Sequence, residues 1–127
     1  MIFVDTNVFM YAVGRDHPLK AEARDFFETA IAGRSRQLST STEVLQELLH
    51  AYLPVARLET HDAAVRLVES CVVDVWAIEH EDVRLARELA DEHPALGARD
   101  LIHLACCRRR GVVQVKSFDR GLASCFR

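Results

Sequence analysis

Ile2-Phe3-Val4-Asp5-Thr6-Asn7 is the stretch on which the reading of this chain turns. Three consecutive apolar residues, ended by an acid and two polar residues, have the pattern of a short strand buried on both faces. Such strands belong to parallel sheets covered by helices. An acid directly after one stands at the carboxyl edge of the sheet, where function gathers in open α/β folds. Working outward, Pro18 suits a first helical residue, and apolar positions 19, 23, 26, 27, 30 and 31 continue a helix to about Ala32, stopped by Gly33. Gln37 to Ser39 reads as a short strand. The cluster Ser39-Thr40-Ser41-Thr42 offers an N-cap for a helix through Leu53, ended by Pro54. A further helix fits Thr60 to Glu69, capped by Thr60 or Asp62, and Cys71 to Trp76 is strand-like. Residues 80–92 carry Val83, Ala86, Leu89 and Ala90 at helical spacing. Pro94 and Gly97 precede a helix over about Ala98 to Arg110, terminated by Gly111. Val112 to Val115 reads as the last strand, with a short helix after Arg120. Strands alternating with helices predict an α/β fold with a central, mainly parallel sheet.

The chain has 127 residues, enough for one core without disulfides or a structural metal, and no repeat or linker divides it. A single domain over 1–127 is expected. Hydrophobic residues are 50% of the chain, which rules out disorder. The uncharged apolar run Val8 to Val13 is far too short to span a membrane, and no basic flank precedes Ile2 as a signal peptide requires. The four cysteines lack CxxC spacing and read as buried thiols of a reducing cytoplasm. Net charge is −3, so this is no generic nucleic-acid binder held by a basic surface.

Four acids stand where solvated surface charges are not expected. Asp5 and Asp119 each follow a strand, Glu47 lies in Val44-Leu45-Gln46-Glu47-Leu48-Leu49, and Asp100 opens a helix that continues Leu101-Ile102. Taken singly, Asp100 could cap its helix, Asp5 and Asp119 could be turn residues, and Glu47 could face solvent. Together they differ, because strand ends and the following helix starts share one edge of a parallel sheet. Carboxylates gathered there repel and take up protons unless a cation lies among them. Oxygen donors without His or Cys favour Mg²⁺ or Mn²⁺ over Zn²⁺.

Met1 to Asn7 (MIFVDTN), Val44 to Leu49 (VLQELL), Gly97 to Ala105 (GARDLIHLA) and Val115 to Leu122 (VKSFDRGL) resemble, in order and spacing, the signature segments of PIN-domain ribonucleases. Among these the resemblance is to the VapC toxins of bacterial toxin–antitoxin pairs, over essentially the whole chain. It implies a three-layer α/β/α fold and a Mg²⁺-dependent endoribonuclease, with Mn²⁺ as a possible substitute, acting on RNA in the cytoplasm. It also implies a cognate VapB-like antitoxin and is compatible with a homodimer. By position, Asp5, Glu47, Asp100 and Asp119 match the family's metal-binding carboxylates. Thr6 and Ser117 match its small hydroxyl residues, and Asn7 belongs to the first motif. Asp5, Asp100 and Asp119 would hold the principal ion, and Glu47 with Asp100 a second ion or its waters. Glu43, four residues before Glu47 on the same helix face, is a further candidate.

Several signals carry other readings. Arg108-Arg109-Arg110 suits either a helix C-terminus or an RNA or partner contact. Arg99 suits a phosphate or a neighbouring acid. His103 shares the Asp100 face and is expected as a satisfied core residue or a support for the site. Adjacent Cys106 and Cys107 diverge on a helix, so a zinc site with His103 and Cys125 is disfavoured. Trp76, Phe9, Tyr11, Phe26 and Phe27 are expected in the core, with Phe9 and Tyr11 also candidates for a dimer face. A receiver-type domain needs paired acids at the first strand, and a haloacid-dehalogenase-type phosphatase needs Asp-x-Asp where this chain has Asn7. A non-catalytic PIN-like module that binds RNA or protein is the remaining alternative.

Overall fold

A computed structural model of the chain describes residues 1–33 and 37–126. Its sheet has four parallel strands, β1 (Ile2–Val4), β2 (Leu38–Ser41), β3 (Asp74–Trp76) and β4 (Val115–Lys116), in the order β3-β2-β1-β4. In register, Phe3 lies opposite Ser39 on one side and Val115 on the other. The order reverses direction at β1, so a crevice opens between the carboxyl ends of β1 and β4. Helices pack on both faces, giving the three-layer α/β/α architecture expected.

Asp5 ends β1 and caps α1 (Thr6–Val13), a helix absent from the sequence expectations because its apolar residues run nearly continuously. With α2 (Pro18–Gly33), α3 (Thr42–Tyr52) and α4 (Leu58–Cys71), it builds the larger core around Val4, Val8, Phe9, Phe27, Leu48 and Val68. The smaller core joins α5 (His80–Glu92), α6 (Ala98–Arg109) and α7 (Arg120–Ala123) through Leu89, Leu104 and Leu122. Phe9 is fully buried and stacks on Phe27 at 5.2 Å, so it is core and not a dimer face.

Several boundaries differ from expectation. Helix α4 starts at Leu58, two residues before Thr60, with no side-chain cap, and runs on through Cys71. That leaves only Asp74–Trp76 for β3. The last strand shrinks to Val115–Lys116, and Val113 is 72% exposed. β3 and β4 are the two edges of the sheet, where pairing on one side holds fewer residues than β-branched composition suggests. β2 falls on Leu38–Ser41, a buried and largely polar strand. Its Thr40 hydroxyl donates to the Val4 carbonyl at 3.0 Å, and Ser41 precedes α3 without a side-chain cap bond.

Candidate active site

The site grows from the end of β1. Asp5 is 4% exposed, and both its oxygens are held. Oδ1 accepts the Thr6 backbone N–H at 2.8 Å, while Oδ2 accepts the Ser117 hydroxyl at 2.7 Å and the Asn7 side-chain amide at 3.4 Å. Ser117 follows β4, so this bond spans the crevice between the two strands. Asn7 closes the frame by accepting the Phe118 N–H at 3.1 Å. Ser117 and Asn7 thus stand beside Asp5. Thr6 touches Asp5 through its backbone, and its own hydroxyl is buried without a partner among the described residues.

Asp119 caps α7: its Oδ1 accepts the Gly121 and Leu122 N–H groups at 2.8 and 3.3 Å, and its own N–H donates to Ser117 Oγ at 2.9 Å. A Cβ on Gly121 would sit 3.2 Å from that Oδ1, so glycine keeps the cap uncrowded. Asp100 is half-buried in the first turn of α6, whose N-cap is Gly97 with no side-chain cap bond. Capping therefore does not account for it. Glu47 projects from α3, and its Oε1 accepts His103 Nε2 at 2.6 Å. His103 is fully buried, and the same nitrogen lies 3.6 Å from Asp5 Oδ1.

Electrostatics tie these residues together. Burial, then the charges of Asp119 and Asp5, push Asp100 up to about 6, with Glu47 adding to the rise. Asp5 is raised by burial against the opposing pull of His103 and Ser117. Glu43 is raised by burial and by Glu47, one turn away. Burial alone would lower His103, but its bond to Glu47 and the charges of Asp5, Glu47 and Asp100 outweigh it and raise it. The four acids singled out in the sequence thus share one electrostatic neighbourhood, joined by Glu43 and His103. Among the described residues, the ion-pair partner of Asp5 and of Glu47 is His103, and no three His, Cys, Asp or Glu side chains are drawn close enough together to hold a metal ion as they stand. In donor type the group suits a hard divalent cation.

The remaining candidates fall outside it. Arg109 and Arg110 both reach Asp82 Oδ1 at 2.8 Å and also contact Glu79, and Arg110 lies over the Trp76 ring at 5.1 Å. Arg108 and Arg109 lie in the last turn of α6, as the helix-end reading expects, and Arg109 and Arg110 additionally tie that end to α5. Cys106 and Cys107 are buried in the core, and burial pushes the Cys106 thiol up to about 12. Cys125 lies at 3.5 Å from His93 Nδ1. The position that sequence reasoning left open is His103. Its spacing of three from Asp100 on α6 was the available signal, but nothing local points to Glu47, 56 residues earlier.

A PIN domain matches residues 2–125, and the chain belongs to the PIN-domain family. Ribonuclease VapC23 of Mycobacterium tuberculosis is 58% identical over 127 residues, covering 100% of this chain and 99% of that protein. Ribonuclease VapC13 of the same species is 40% identical over 124 residues, covering 98% and 94%. Within the family the chain is thus a VapC-type ribonuclease toxin. Among solved structures, the fold matches M. tuberculosis VapC20, described as a sarcin-ricin loop cleaving toxin, with TM-score 0.80 at 21% identity over 98% of this chain and 94% of that one. It also matches a toxin–antitoxin complex from Klebsiella pneumoniae with TM-score 0.67 at 18% identity, covering 94% and 87%.

Proposed function

We propose that the chain, acting as one domain over residues 1–127, is an endoribonuclease that hydrolyses RNA phosphodiesters with a divalent cation, Mg²⁺ or Mn²⁺, held by Asp5, Glu47, Asp100 and Asp119. The observation that carries this reading is the carboxylate group itself, with Asp100 driven up to about 6 by burial and by Asp119 and Asp5. Keeping such acids together costs stability, and a site that binds a cation recovers that cost. When bound, the ion supplies Lewis acidity that activates water and stabilises charge on the phosphate oxygens.

The protein's own part is placement. Ser117, Asn7 and the Thr6 N–H fix Asp5 against rotation. The α7 amides bind one oxygen of Asp119, which leaves the other for the ion. Asp100 makes no cap bond and stays available. Rigid donors in a partly dry crevice reduce the reorganisation needed as charge develops.

The relatives extend the proposal to regulation. A VapB-like antitoxin would neutralise the enzyme, which would work in the cytoplasm where its RNA resides, as a homodimer. The resemblance to solved toxin–antitoxin complexes supports the antitoxin. The decisive experiment is cleavage of total cellular RNA by antitoxin-free protein across a Mg²⁺ and Mn²⁺ titration, beside Asp100→Asn. Discrete fragments that require the ion and vanish in the variant are expected. No cleavage by folded protein at any ion concentration would leave the binding module as the better reading. In cells, growth arrest on expression should be relieved by Asp5→Ala and by the cognate antitoxin; arrest by that variant at equal abundance would refute the nuclease.

A further inference from the structure

We propose that His103 is a positioning residue: its Nε2–H holds the Glu47 carboxylate beside Asp5, and through that bond sets the affinity of the site for its divalent cation. The inference rests on the metal-nuclease reading above. His103 is fully buried, with its ring 5.4 Å from that of Phe3. A histidine used only for packing there would be a poor choice. Its Nδ1 is buried with no hydrogen-bond partner among the described residues, a cost that an apolar side chain of similar shape avoids. The compensating gain is at Nε2, which makes a short bond to Glu47 Oε1 at 2.6 Å and lies 3.6 Å from Asp5 Oδ1. One nitrogen therefore spaces two carboxylates that come from different elements, α3 and the end of β1.

Glu47 needs that anchor. Glu43 lies one turn earlier on the same face of α3 and is close enough for each charge to disturb the other. Repulsion and the rotamer freedom of a glutamate both favour swinging Glu47 outward. The bond from His103 is the contact that opposes this, since among the described residues Glu47 has no other ion-pair partner. Losing a hydrogen bond that orients a ligand typically costs 10–100-fold in metal affinity.

The test is Mn²⁺ binding to the full purified chain at fixed pH, by calorimetry or by the electron spin resonance of free Mn²⁺. In His103→Gln the amide nitrogen falls near the Nε2 position, whereas in His103→Asn it falls near Nδ1 and cannot reach Glu47. The expected result is affinity within roughly threefold of wild type for the Gln variant and 10–100-fold weaker binding for the Asn variant. In a Glu47→Gln background, His103→Asn should add little further loss. Equal binding by wild type and His103→Asn, equal weakening by Asn and Gln, or an undiminished penalty in the Glu47→Gln background would each overturn the proposal. Should His103→Asn not fold, imidazole nitrogen spectra of the wild type decide. The Nε2–H resonance is expected to shift on Mg²⁺ addition and to lose its protection in Glu47→Gln; an unmoved resonance overturns the proposal. Asp100→Asn separates the two readings. If it binds Mn²⁺ as wild type does, or if wild type binds none, the metal-nuclease reading falls and this one with it.

Discussion

Asp100 gives the site a pH signature. Its carboxyl sits at about 6, above the ordinary 3.8, through burial and the nearby charges of Asp119 and Asp5. Cation binding needs the ionised form, so Mn²⁺ affinity should fall as pH drops through about 6; titrations between pH 5 and 8 check this. Stability in the absence of metal moves the other way. Between about pH 4 and 6 the folded chain retains a proton that the unfolded chain has released, so stability declines as pH rises through that window. Asp100→Asn removes the penalty. In EDTA the variant should melt above wild type at pH 7.5, and the difference should disappear near pH 4. An unchanged difference across that range would remove Asp100 as its source.

At the scale of elements, the junction of α5 and α6 is held by an acid that composition places on the wrong side. Helical spacing puts Val83 on the inner face of α5, yet Val83 is 49% exposed and Asp82 is fully buried. Asp82 accepts hydrogen bonds from Arg109, Arg110 and the Glu79 N–H, completing a capping box at the start of α5. Burial would raise its carboxyl, but the bonds to Arg110, Glu79 and Arg109 outweigh this and hold it well below the usual carboxylate range. That contribution is present above about pH 4 and is lost as pH falls. Asp82→Ala should cost about 2 kcal/mol at pH 7, from the lost cap and charge-assisted bonds, and less at pH 3. Urea unfolding at the two pH values measures it. Metal-dependent RNA cleavage by the folded variant should persist, because Asp82 lies outside the carboxylate group.

For the molecule as a whole, charge bears on substrate capture. The chain carries −3, and two divalent cations would shift that by +4, to +1. Without metal, the carboxylate group faces an RNA phosphate with like charge at the very point of chemistry. RNA binding itself should therefore depend on the divalent ion. A gel shift of the unaltered chain on a non-hydrolysable RNA analogue, run with Mg²⁺ and with EDTA, should show weaker complex formation in EDTA. Equal affinity in both would place RNA recognition on surfaces remote from the site.

Much of this protein follows from local sequence. The apolar triplet Ile2-Phe3-Val4, the breaks at Gly33, Pro54 and Gly111, and the helical spacing over Pro18–Gly33 and Ala98–Arg109 are short-range signals, and they predict most elements and the α/β class. The four acids stood out because charge beside apolar runs is locally anomalous. Tertiary structure decided what depends on partners distant in sequence. Edge position in the sheet trimmed β3 and β4, and two arginines from α6 brought Asp82 inside. Ser117 met Asp5 across 112 residues, and His103 met Glu47 across 56. A side chain's hydrogen-bond partner is set by where two elements come to lie in space, and chain-local periodicity holds no record of that.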